Sequence, residues 1–174
     1  MKSKATVFTV LVLVAALSRL FPHYPNFTAM GALAFYTAFS GKKVGQSLAL
    51  MAGTMMVTDL ILNNMVYPTG EFVFMYTGSI FTYLGFAAYS ITGYYSKSRK
   101  TAALGLILGS LAFFAISNFG VWVSALSPYP KTGTGLLAAY TAAIPFYAPE
   151  LLSSLLFSAL AGFAESKVAA TAKA

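Results

Sequence analysis

The sequence predicts an all-α, polytopic transmembrane bundle of six helices, and three observations support that class. Of the 174 residues, 58% are hydrophobic and only 9% are charged, which leaves too little polar surface for a soluble globule of this length. Nine of the eleven Lys/Arg residues fall into four groups: Lys2 with Lys4, Lys42 with Lys43, Lys97 with Arg99 and Lys100, and Lys167 with Lys173. Between these groups come three Tyr-Pro steps, Tyr24-Pro25, Tyr67-Pro68 and Tyr129-Pro130, and all seven prolines are expected on that opposite side. Cytoplasmic loops collect Lys and Arg, tyrosines favour the headgroup layer, and proline ends helices because it lacks an N–H and clashes with the preceding turn. The basic groups therefore mark cytoplasmic turns and the Tyr-Pro steps outer ones. Residues 1–174 read as a single multi-pass transmembrane domain with both termini cytoplasmic.

The first helix is expected over residues 5–20. Its basic start and Ala16-Leu17-Ser18 faintly resemble a signal peptide, but Arg19 and Pro22 just beyond are poor company for a cleavage site, and the segment is kept as a helix. The second, residues 28–40, is only about 20 Å long as a helix, so it is expected to pack inside the bundle or enter obliquely. Gly31, Ala34 and Ala38 share one of its faces and permit close backbone approach. Residues 45–62, 72–95 and 102–126 are each long enough to cross a membrane. Residues 136–147 are apolar yet short between Pro128 and Pro149, which predicts an outer lid or re-entrant segment. The sixth helix is placed at 149–164, with Pro149 in the favoured first position.

Several function classes are excluded or disfavoured. A formal charge of +7 does not indicate nucleic-acid binding here, because the basic residues come in twos and threes beside apolar spans without aromatic interleaving; topology and anionic lipid account for them. There is no cysteine, and hence no thiolate nucleophile or iron–sulfur ligation. No HExxH pair, phosphate-binding Gly-rich loop or Cys/His cluster occurs, so neither an enzyme nor a cofactor is expected. Ser153 and Ser154 follow Glu150, but a nucleophilic serine needs a positioned base, and the single histidine cannot be placed beside them from the sequence.

Ionisable groups inside a bilayer are costly and face a partner or a watery cavity. Arg19 and His23 lie four apart, as do Asp59 and Asn63, and Asn118 and Trp122; in a helix, residues at that spacing share a face. Together with Asn26, Asn64, Tyr129, Lys131 and Glu150 they form an expected polar constellation in the outer third, with almost nothing polar in the inner half. A chain of titratable groups across the membrane is thus not expected, which argues against a simple channel or pump. Each residue also has a structural reading. Arg19 can snorkel or pair, Asp59 needs a cation such as Arg19 whether or not it touches a ligand, and Glu150 reads as a carboxylate at a helix start. A lone His23 in a turn reads as hydrogen-bonded structure, and Asn118 and Trp122 as interhelical glue and a belt aromatic.

The run Arg19-Leu-Phe-Pro22-His23-Tyr-Pro25-Asn26-Phe27, with Gly31-Ala32-Leu33-Ala34, Asp59-Leu60 and Ser117-Asn118-Phe119-Gly120-Val121-Trp122, resembles an uncharacterised bacterial six-helix membrane family over nearly the whole chain. That family more distantly resembles the substrate-binding S components of energy-coupling-factor vitamin transporters. The resemblance implies a ligand pocket near the outer face, closed by outer loops, with Arg19, His23, Asn26, Asp59, Asn118 and Trp122 lining or bracing it. Several S components carry Ala-x-x-x-Ala on the first helix where they meet the coupling subunit; here that helix reads Val10-Leu-Val-Leu-Val-Ala-Ala-Leu17 and lacks it.

The expected function is a membrane-embedded subunit for binding and uptake of a vitamin-like small molecule, its ring held by tyrosines (Tyr129 among them) and Trp122, its anionic group by Arg19 or Lys131. With no nucleotide-binding motif in the chain, energy would come from a coupling subunit and ATPases. The alternative is a structural accessory subunit of a larger membrane complex.

Overall fold

Six α-helices follow one another with no strand among the described residues: α1 (Lys2–Leu20), α2 (Met30–Gly41), α3 (Val44–Ile61, prolonged by a single π-helical turn, Leu62–Val66), α4 (Ser79–Tyr95), α5 (Arg99–Val123) and α6 (Gly133–Thr171). The computed structural model describes residues 2–22 and 24–171, so His23 lies outside the described residues. The helices alternate in direction. Lys4 donates to the Ser40 carbonyl and Lys42 to that of Ser96, which gathers the start of α1 and the α2–α3 and α4–α5 turns at one basic end. At the other, proline end, Ser18 Oγ accepts from Ala29 N at 3.0 Å, and Arg19 pairs with Asp59.

The bundle is built around α2. Every residue from Met30 to Ala38 is buried, and α2 packs against all five other helices. Twelve residues make only about 18 Å of helix, so this element is enclosed as expected and is no free-standing span. Small residues allow the enclosure. A Cβ at Gly31 would lie 2.1 Å from Ser154 Oγ, and one at Gly93 of α4 would lie 2.3 Å from the Phe35 carbonyl oxygen; only hydrogen fits between those surfaces. Hydroxyls supply polar contacts at the same crossings: Ser47 Oγ donates to Ala34 O at 2.5 Å and lies 2.8 Å from Ser90 Oγ, joining α3, α2 and α4.

Apolar side chains coat the outside as well as the core. Val10, Leu13, Leu84, Leu108, Leu152 and Leu160 all project outward, a distribution that soluble monomers avoid over large areas. Three helices are long and apolar enough to cross a membrane: Val44–Val66, Arg99–Val123 and Gly133–Thr171. Six spans were expected from the alternation of basic groups and Tyr-Pro steps; α1, α2 and α4, with 19, 12 and 17 residues, do not meet this measure among the described residues.

Several element boundaries differ from expectation, α6 running on to Thr171 rather than ending at residue 164. The fourth helix begins at Ser79 rather than Phe72, because Gly70 and Gly78 adopt φ of 93° and 86°, a left-handed conformation through which a helix cannot run. Asn64 ties down the intervening loop by exchanging hydrogen bonds with Val73 N and O at 2.8 and 2.9 Å. The fifth helix starts three residues early at Arg99, where Ser98 and Thr101 form a capping box. The expected lid over 136–147 does not exist as a separate segment. It is the first part of α6, a 39-residue helix containing both Pro145 and Pro149, so two of the seven prolines lie within a helix and Pro149 does not begin one. A bundle interior tolerates helical proline because neighbouring groups compensate for the freed carbonyls. At about 58 Å, α6 is nearly twice the thickness of a bilayer's hydrocarbon core.

Gly93→Val is expected to destabilise the bundle by about 1–3 kcal/mol or more through overpacking against the Phe35 carbonyl, read as a lower Tm in detergent. Gly53→Ala, where an added Cβ meets nothing within 4 Å, should leave Tm unchanged or raise it slightly.

Candidate functional site

The expected polar constellation separates into three groups. At the proline end, Arg19 Nη2 donates to Asp59 Oδ1, and Tyr83 OH donates to Asp59 Oδ2 at 3.0 Å. Asp59 is only 4% exposed, so this pair is a buried ion bridge joining α1, α3 and α4, and the Arg19 charge is already neutralised. Asn63, one turn beyond Asp59, lies in the π-helical turn; its Nδ2 and Arg19 Nε are buried without hydrogen-bond partners. Orphan buried donors are uncommon and are satisfied by water or a ligand where there is room.

The second group closes the α5–α6 turn. Trp122 Nε1 donates to Pro130 O at 2.9 Å, Lys131 Nζ donates to Ser124 O at 2.6 Å and to Trp122 O, and Tyr129 N donates to Ser127 Oγ at 3.2 Å. The Lys131 ammonium also lies 5.9 Å from the Trp122 ring centroid. Trp122 and Lys131, assigned above to the ring and the anionic group of a ligand, therefore staple a turn.

The third group centres on Glu150, expected as a carboxylate at a helix start in the outer third. It stands in the middle of α6, 4% exposed, opposite Ser110 near the midpoint of α5. Tyr89 OH donates to its Oε1 at 2.7 Å, Ser154 Oγ to the same oxygen at 3.2 Å, and Ser110 Oγ to Oε2 at 2.5 Å. Tyr89, itself fully buried, owes its position to glycines: a Cβ at Gly109 would lie 2.5 Å from its ring. No basic side chain pairs with Glu150 among the described residues. In apolar surroundings a carboxylate held by hydroxyls alone is a strong acceptor for a proton or a cation.

Glu150 also lines a cavity of about 60 Å³ between α5, α6 and the α1–α2 loop, together with Asn26, Asn118, Ser117, Phe114 and Tyr147. Asn26 reaches it from a left-handed turn, φ 61°, a conformation asparagine adopts more readily than other non-glycine residues. Of the eight sequence-derived candidates, Asn26 and Asn118 line this cavity; Arg19, Asp59, Asn63, Trp122 and Tyr129 do not. The signal that singles out Glu150 in the sequence is an acidic residue followed by Ser153 and Ser154 inside an otherwise apolar stretch. No group of three or more His, Cys, Asp or Glu residues suited to a metal occurs among the described residues.

An outward apolar coat, apolar helices of crossing length and polar groups turned inward define a helical bundle of membrane-protein type. The chain belongs to the family of unknown function DUF6580, whose model matches residues 1–173. No curated protein and no solved structure matches it.

Removing one partner of a buried ion pair strands the other charge. Arg19→Met or Asp59→Leu alone should each cost about 3–5 kcal/mol, whereas the double variant Arg19→Met/Asp59→Leu should recover most of that loss. A double-mutant cycle on unfolding in detergent reads the coupling.

Proposed function

We propose that this chain is a six-helix, multi-pass subunit of the bacterial inner membrane, basic end and both termini cytoplasmic, that binds a small molecule from the outer face and takes part in its uptake. The observation that carries the reading is the cavity in which Asn26 and Asn118 converge with the unpaired carboxylate of Glu150 beside aromatic rings. Two amides and a carboxylate orient a donor-bearing or cationic group, and the rings of Phe114 and Tyr147 cover its apolar part. This reverses the charge expected of the ligand, since Arg19 and Lys131 are committed elsewhere. A volume near 60 Å³ takes a few waters or an ammonium-sized group; a vitamin-sized ligand, which needs at least about 300 Å³, requires α5 and α6 to part. With no nucleotide-binding motif, the energy for uptake comes from separate coupling and ATPase subunits.

The alternative, a structural subunit of a larger membrane complex, draws on a second feature: a predominantly apolar groove of about 260 Å³ between α1 and α6, lined by Val7, Val10, Val14, Phe157 and Leu160, suited to another helix.

Native mass spectrometry of the protein extracted gently from its own membrane separates the two. The uptake reading expects a small molecule in stoichiometric amount, its retention weakened about tenfold to hundredfold by Glu150→Gln or Asn118→Ala and unchanged by Trp122→Ala. Capture in a large complex with no small molecule overturns that reading and establishes the accessory one.

A further inference from the structure

A second, roomier cleft opens at the other end of the molecule, where no site was expected. About 870 Å³ opens between the end of α2, the start of α5 and the last turns of α6. Its interior is apolar, walled by Phe35, Phe39, Leu106, Leu155 and Phe163, and its mouth carries Lys4, Lys42, Lys97 and Arg99 against a single acid, Glu165. That acid is already engaged by Tyr36 OH at 2.7 Å and Ser40 Oγ at 2.6 Å, with Lys4 Nζ 3.9 Å away. Lys42 donates to the carbonyls of Ser96 and Tyr94. The side-chain cations of Lys97 and Arg99 have no partner among the described residues. They flank the first turn of α5, whose dipole adds positive potential at the same point. On the wall, Ser158 is 7% exposed and its Oγ has no hydrogen-bond partner.

An apolar interior below a rim of unpaired cations is complementary to an anionic amphiphile and to little else. A soluble anion leaves the aromatic and aliphatic walls unfilled, and a neutral apolar molecule leaves Lys97 and Arg99 without a counter-charge. We propose that this cleft binds one anionic phospholipid from the leaflet at the basic end, its phosphate between Lys97 and Arg99 and an acyl chain between α5 and α6. Basic pockets between transmembrane helices hold anionic headgroups in this manner. The small residues Ala102, Ala103, Ala159 and Gly162 keep the space open. A Cβ at Gly162 meets only the Tyr36 side chain, at 3.7 Å, an ordinary contact, so this is the position from which a larger side chain is introduced to fill the cleft. The inference rests on the membrane-spanning part of the reading above and is independent of uptake.

The test is native mass spectrometry of the full chain in a mild non-ionic detergent, with phosphatidylglycerol or phosphatidylcholine of identical acyl chains added, and glycerol 3-phosphate as a soluble competitor. One phosphatidylglycerol should be retained per chain, at least about tenfold better than phosphatidylcholine. Lys97→Gln with Arg99→Gln should abolish the preference, and Gly162→Leu should reduce retention of both lipids at an unchanged Tm. Lys43→Gln with Lys100→Gln removes the same charge from the same end but outside the cleft, and should change nothing. If Gly162→Leu lowers Tm, the comparison between the two charge-removing pairs decides alone. Equal retention of the two lipids, equal loss from both charge-removing pairs, or full displacement by glycerol 3-phosphate would overturn the proposal. Release of the chain from membranes by alkaline carbonate would instead overturn the membrane-spanning reading, so the two failures are distinct.

Discussion

Within an apolar solvent, every buried carboxylate has to be held by donors from its own protein, and that requirement organises this bundle. The three acidic residues of the helices each accept a hydrogen bond from a tyrosine on another helix: Asp59 from Tyr83, Glu150 from Tyr89 and Glu165 from Tyr36. The pairs link α3 with α4, α6 with α4 and α6 with α2, at the proline end, the middle and the basic end in turn. Without its tyrosine each acid would lose one donor that an apolar interior does not replace. With them, the polar groups help fix the register of the helices they join.

Glycine and alanine make those bonds geometrically possible. A tyrosine reaches an acid on the far side of α2 only if the intervening backbones come close, and Gly31, Gly93 and Gly109 are points of such close approach. Lipid-exposed leucines and valines contribute little to helix association, because lipid tails are as apolar as they are. Close packing at small residues and hydroxyl bridges such as Ser47 to Ser90 provide it instead.

Much of the helix order was legible in the sequence. Lys42-Lys43 and Lys97 to Lys100 announce turns, and the brevity and small residues of α2 announce its enclosure. Arg19 and Asp59 were legible as a pair because each is a lone charge at the end of an apolar run, with no other partner in reach. Glu150 was not, since its partners Tyr89 and Ser110 come from two other helices and a neighbouring proline imitates a helix start. The same proline signal turned half of α6 into an imagined lid; a local rule about helix interruption yields where tertiary packing compensates for the lost hydrogen bonds. The basic cleft was invisible for another reason: Ala102, Ser158 and Gly162 carry no chemical signal singly, and only the divergence of α5 from α6 makes a space of them.

The prolines of α6 have a mechanical consequence. Pro145 and Pro149 delete two backbone hydrogen bonds within five residues, and this under-braced stretch forms one wall of the cavity at Glu150. The basic half of the helix, from Leu155 onward, is a regular rod seated on α1 and α2. α6 is thus braced unequally along its length: at the cavity its hold depends on side-chain contacts with α5, such as Tyr140 to the Ala115 carbonyl, more than on its own backbone ladder.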